Sequence, residues 1–208
     1  MRQLFEISIV LWLVSMLCSC ASVSMMDTWR NPEVRLQRPK KVLVVSLTKK
    51  EANRRVFEDM LVSEMSLRGV EAVAGHTVIT GGGLPDWNVL DQAVRKTGAQ
   101  AVLTVQTIRV EQQTTIHPSS INTYPGYWYP SAFPAWDFPG YYRSMAVYGP
   151  TYVSTYDVAT MQVNLFDAGS DKLLWAGTLE SSEPENITKV GQDLARKVVK
   201  ALEKDGVI

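Results

Sequence analysis

Cysteine is nearly absent from this chain. Only Cys18 and Cys20 occur in 208 residues. A bare C-x-C with no further cysteine to complete it makes neither a disulfide framework nor a convincing metal site. Histidine is as scarce. His76 and His117 each sit beside a loop with no Cys, Asp or Glu nearby in sequence at ligand spacing, where a metal needs three or four such groups. Both read as surface or capping residues. Net charge is missing too: 21 Lys and Arg balance 21 Asp and Glu, so nothing electrostatic points to nucleic acid or to an anionic membrane surface. No G-x-S-x-G elbow is present. Gly81-Gly82-Gly83 precedes a helix pattern, but the Lys and Ser/Thr of a phosphate loop are absent, which leaves a flexible connection. These absences leave no cofactor, metal or catalytic constellation to build on, and the expectation is a chain that is not an enzyme.

What is present begins at the amino terminus. Arg2 precedes an apolar run from Ile7 to Leu17. The run is about half of the ~20 residues that cross a bilayer as a helix, and it fits the hydrophobic region of a secretory signal. Leu17-Cys18-Ser19-Cys20 follows and resembles the lipobox of bacterial lipoproteins. A thiol there can be alkylated to a thioether bearing a diacylglycerol, and small Ser19 admits the peptidase. The resemblance implies that residues 1–19 leave as a signal peptide and that Cys20 is the lipidated amino terminus. With its one remaining cysteine blocked, the mature chain forms no internal disulfide, and stability must come from a packed core. Several acyl chains at ~0.8 kcal/mol per buried CH₂ give a durable anchor. Ala21, where an Asp would favour inner-membrane retention, points to the outer membrane, facing the periplasm.

Residues 20–39 read as a polar, lipid-anchored tether, in which Trp29, Asn31 and Pro32 interrupt any period; extended chain or a short edge strand fits them. Residues 40–208 read as one domain. Lys40–Leu47 is a β-branched run of a strand covered on both faces. Phe57, Met60, Leu61 and Met65 keep helical spacing, with Thr48 and Glu51 as a capping box and Gly69 as a stop. Val70–Gly75 is a short strand. Asp86 can cap a helix over Trp87–Thr97, with Leu90 and Val94 inward and Gly98 at its end. Ala99–Gln113 is a long strand whose later alternation predicts a run into solvent. Tyr152–Asp167, with Met161, Val163 and Leu165 on one face, and Lys172–Ser181 read as a hairpin around Ala168–Asp171. Ile187, Val190, Leu194, Val198 and Ala201 make the inward stripe of a closing helix, basic in its last turns. The expected fold is α+β with an α/β-like core: a mixed sheet of about five strands, order β-α-β-α-β-β-β-α, with right-handed crossovers.

The runs KKVLVV, RRVFEDMLVSEM, RGVEAV, AVRKTGAQAVLTV and NLFDAGSDKLLWAG, with the aromatic stretch, resemble a family of uncharacterised bacterial lipoproteins. The likeness covers about Trp29 to Leu202. The core is similar to the amino-terminal domain of the TolB periplasmic protein and to the curli secretion lipoprotein CsgG. The resemblance brings no activity or catalytic residue with it.

Between the third and fourth expected strands lies an insertion, residues 114–151, rich in aromatic residues, Pro and Gly and almost without charge. Two to five residues would join antiparallel neighbours, so an insertion of this size is commonly functional or disordered. Tyr127, Trp128, Tyr129, Trp136, Phe138, Tyr141 and Tyr142 are its candidate contact residues. Folded back, they would form a satellite cluster. Turned outward, they suit a hot spot for an envelope protein or a second copy of the chain, or stacking on glycan or lipid headgroups. The lack of paired carboxylates weighs against a glycosidase. The functional expectation is a membrane-anchored lipoprotein with a non-catalytic periplasmic domain, acting as a protein-interaction or envelope-structural module. The alternative is binding of peptidoglycan or another envelope polysaccharide through the insertion.

Overall fold

The computed structural model describes residues 22–34, 38–79, 84–112, 157–182 and 184–208. Its elements are β1 (Val23–Arg30), β2 (Lys41–Ser46), α1 (Glu51–Ser66), β3 (Glu71–Ala74), a 3-10 turn (Gly75–Thr77), α2 (Trp87–Thr97), β4 (Ala101–Gln112), β5 (Asp157–Asp167), β6 (Leu173–Ser181) and α3 (Ile187–Lys204). The fold is the expected α+β arrangement, built on one sheet ordered β1-β6-β5-β4-β2-β3. β2 lies parallel to both β3 and β4, and the remaining pairs are antiparallel.

The sixth strand is the difference from the sequence reading. Within the stretch read as tether or short edge strand, Val23–Arg30 pairs along β6, from Val23 opposite Ser181 to Arg30 opposite Trp175. The register slips between Met25 and Asp27. Met26 is the extra residue and stands 56% exposed, an arrangement that blunts an edge.

The chain passes from β2 through α1 to the edge strand β3, then back across β2 through α2 to β4. Right-handed crossovers in opposite directions put their helices on opposite faces of the sheet. Two cores result. On one face α1 and α3 cover Val42, Val44, Leu103, Val105, Met161, Val163 and Leu165. On the other α2 brings Leu90 and Ala93 over Leu43, Val45, Val102 and Phe166. A continuous apolar run in β2 is what a strand covered twice requires.

Local chemistry sets the helix ends. Asp86 caps α2 as expected, its Oδ1 accepting from Val89 N at 3.0 Å, and Gly98 closes that helix at φ +65, a conformation that suits glycine. On the exposed face of α2 Arg95 donates to Asp91; that hydrogen bond, then the charge itself, raises the guanidinium above its ordinary value. The capping box foreseen at Thr48 does not form. α1 starts at Glu51 with Lys50 in the cap position and no side-chain cap, and Glu51 instead pairs with Arg55 one turn on, at 2.5 Å. Asn186 caps α3, accepting from Lys189 N at 3.2 Å. Buried Val190, Leu194, Val198, Val199 and Leu202 form its inner stripe, each contributing roughly 1.5–3 kcal/mol by burial. Ile187 and Ala201, placed in that stripe from sequence, are only half-buried. α1 and α3 approach closely at Gly191, where a Cβ would lie 3.0 Å from Val56 Cγ1.

Candidate functional site

The residues singled out from sequence, Cys20 and the insertion's Tyr127, Trp128, Tyr129, Trp136, Phe138, Tyr141 and Tyr142, lie outside the described residues. The fold nonetheless fixes where the chain leads to them. Val23 of β1 is opposite Ser181 of β6, Ser181 opposite Ala159 of β5, and Ala159 opposite Val110 of β4. The start of β1 and the stems of the insertion, Gln112 and Asp157, therefore share one end of the sheet. β1 lies two strand spacings from β5, which carries Asp157, and three from β4, which carries Gln112, ~10 and ~14 Å. At that end Ser22 is held on three sides. Its N and its Oγ donate to Asp193 Oδ2 of α3 at 2.7 and 3.0 Å, and its carbonyl accepts from Ser182 N at 3.1 Å.

A polar row crosses the sheet on the face away from α1 and α3. Met161, Val163 and Leu165 point into the α1–α3 core, so alternation turns Gln162 and Asn164 to the other side. Gln106, Gln162 and Thr178 lie side by side on three strands, and Thr104 neighbours Asn164. None of these five is more than 4% exposed. Thr178 Oγ1 donates to Gln162 Oε1 at 2.9 Å and Gln162 Nε2 to Asn164 Oδ1 at 3.1 Å. The chain of bonds ends at Asn164 Nδ2, buried and without an acceptor among the described residues. An unanswered buried donor costs about 1–3 kcal/mol, so an oxygen acceptor placed there would be favourable. The sequence pattern led β4 into solvent; instead it is buried over 101–106 and at Ile108 and half-buried at Thr107 and Arg109–Glu111, where the charges of Arg109 and Glu111 pair.

A second polar cluster sits where β2 and β3 end. Glu58 of α1 is 1% exposed as a side chain. Its Oε1 accepts from Ser46 N at 2.9 Å, and its Oε2 from His76 N at 2.6 Å. The same Oε2 lies 2.9 Å from His76 Nδ1. Asp59 Oδ1 stands 3.4 Å from His76 Nε2. His76, read as a surface or capping residue, has a side chain only 15% exposed, and the carboxylates that meet it come from the preceding helix, 18 residues back at Glu58. Glu58 ties α1 to the end of β2 and to the turn after β3, joining three elements through hydrogen bonds to a charged acceptor, which are stronger than neutral ones. Beside it Ser46 Oγ is buried without a partner among the described residues. A sequence signal for the cluster existed. Arg54, Glu58, Leu61 and Met65 follow helical spacing, and all four are buried: two charged residues in phase with a core stripe.

Among the described residues no three His, Cys, Asp or Glu are grouped to hold a metal ion, and no helix is long and apolar enough to cross a membrane. No curated protein matches the chain. Among solved structures, a PelC dodecamer from Paraburkholderia phytofirmans is similar over 86% of this chain and 96% of its own, at 14% identity and a TM-score of 0.44. Lipoprotein GNA1162 from Neisseria meningitidis is similar over 80% of this chain and 96% of its own, at 13% identity and a TM-score of 0.39. Residues 90–204, from α2 to the end of α3, match a family described as a domain of unknown function.

Proposed function

The chain belongs to the DUF4136 family, a domain of unknown function, and from its own residues we propose that it is a bacterial lipoprotein whose non-catalytic domain serves as a protein-interaction or envelope-structural module. The observation that supports this most is Leu17-Cys18-Ser19-Cys20 after a short apolar run. The described fold begins two residues beyond that motif, at Ser22. Cys20 is the point of lipidation and the acyl chains hold the domain at the outer membrane, facing the periplasm. The insertion's rings, Trp128 and Trp136 among them, are its contact element for an envelope protein or a second copy of the chain. His76 serves as a brace: Glu58 Oε2 lies 2.9 Å from its Nδ1 and Asp59 Oδ1 3.4 Å from its Nε2, which holds the turn after β3 against α1.

Intact mass of the membrane-extracted protein tests the reading. The expected species starts at residue 20 and carries acyl chains, and the Cys20→Ser variant is unprocessed or lost from the membrane fraction. Normal maturation and membrane retention of Cys20→Ser would overturn it.

A second reading, binding of peptidoglycan or another envelope polysaccharide, draws on the insertion's rings, which can stack on sugar faces. Retention of the mature protein on cell-wall sacculi, lost in Trp128→Ala/Trp136→Ala, favours that reading. Crosslinking to a discrete protein, lost in the same variant, favours docking.

A further inference from the structure

We infer that the domain is held end-on against the lipid leaflet, with the sheet end that carries Ser22, Ser182 and the insertion stems facing the headgroups. This rests on the lipidation of Cys20 proposed above.

A long tether would let the domain tumble freely beneath its anchor. The fold leaves no such tether. Ser22 is fixed by two hydrogen bonds to Asp193 and one from Ser182, and from Val23 onward the chain is paired to β6. Only Ala21 separates the lipid-bearing residue from the fixed one. Two Cα steps span at most ~7 Å, too little for the domain to turn its other end to the surface. Lipid is the occupant that this length dictates, since acyl chains attached at residue 20 must lie in the leaflet. Along the strands the far end is remote. β6 runs Leu173–Ser181, so the turn at Ala168–Asp171 stands ~30 Å from the anchored end. The insertion leaves and re-enters the sheet at Gln112 and Asp157, on the membrane-facing end.

Labelling at the two ends tests the orientation. Cys20 is blocked in the lipoprotein, so Ser182→Cys and Ser170→Cys each supply a single reactive thiol at an exposed position. Each variant is labelled with bimane and placed in phosphatidylethanolamine–phosphatidylglycerol vesicles that carry a headgroup nitroxide. Fluorescence should be lost at position 182 and retained at 170. A Gly/Ser linker of about ten residues between Ala21 and Ser22 spans roughly 17 Å on average, and it should abolish the contrast. Equal quenching at both positions without the linker overturns the inference. Intact mass of the same sample separates the two failures: acylated protein with equal quenching refutes the orientation alone, whereas an unacylated Cys20 refutes the lipidation reading and the orientation with it.

Discussion

At the scale of single residues, Gly177 shows how little room a buried strand leaves. A Cβ there would lie 2.3 Å from Cη2 of Trp175. That indole is fully buried, and its Nε1 donates to Asp205 Oδ2 at 2.8 Å, so the ring cannot swing aside without giving up a hydrogen bond. Gly177→Ala should lower stability by about 1–3 kcal/mol, the usual range for an overpacked core, seen as an earlier urea midpoint and a changed tryptophan emission. Glu58 poses the opposite case, a group whose removal leaves donors stranded. In Glu58→Ala the Ser46 and His76 amides lose their acceptor, at about 1–3 kcal/mol for each one buried. Glu58→Gln keeps one oxygen and can answer only one side, so urea unfolding should rank the native chain above Gln, and Gln above Ala. The sequence displayed Glu58 as one more charge on a helix. Only its phase with Leu61 and Met65 marked it as inward, and its partners belong to strand ends that no local pattern connects to it.

At the scale of elements, legibility followed the range over which each element is specified. α2 was readable because Asp86 and Gly98 determine its ends within a few residues. The β5–β6 hairpin was readable because its turn is local: Asp167 Oδ2 accepts from Ser170 N and Oγ, both at 2.7 Å. β1 was only half-readable. Its hydrogen-bonding partner lies more than a hundred residues further along the chain, and with Trp29 and Asn31 breaking the alternation nothing near it specifies a strand. The polar row was hidden for a related reason. Alternation tells which residues share a face but not what covers that face, and Gln162 and Asn164 look from sequence like a solvated side. The role of β1 yields a prediction. Val23 and Met25 contribute to the α1–α3 core, and β1 closes one edge of the sheet. Removing residues 22–31 should uncover β6 as a free edge, which is prone to pair with other chains. The truncated protein should associate in light scattering, while Asp193→Ala, which removes the two bonds to Ser22 and the contact with Arg196 but leaves β1 paired to β6, should remain at the native size.

At the scale of the whole molecule, the described body supplies much of its own packing. Among the described residues, both cores draw on the strands, the three helices and the connections beside them. β4 and β5 remain paired to their last residues, Gln112 opposite Asp157. Two antiparallel strands that end in register can be closed by a two-residue Asn-Gly turn, whose twist suits a hairpin. Replacing residues 113–156 with such a turn should therefore leave a domain that unfolds cooperatively, with the far-UV circular dichroism of the same helices and strands. The membrane attachment proposed for Cys20 should persist as well, because residue 20 precedes β1 whereas the insertion joins β4 to β5. What should vanish is the proposed crosslinking to an envelope partner. A shortened protein that still crosslinks would move the interaction surface from the insertion to the body, and one that fails to fold would make the insertion part of the core.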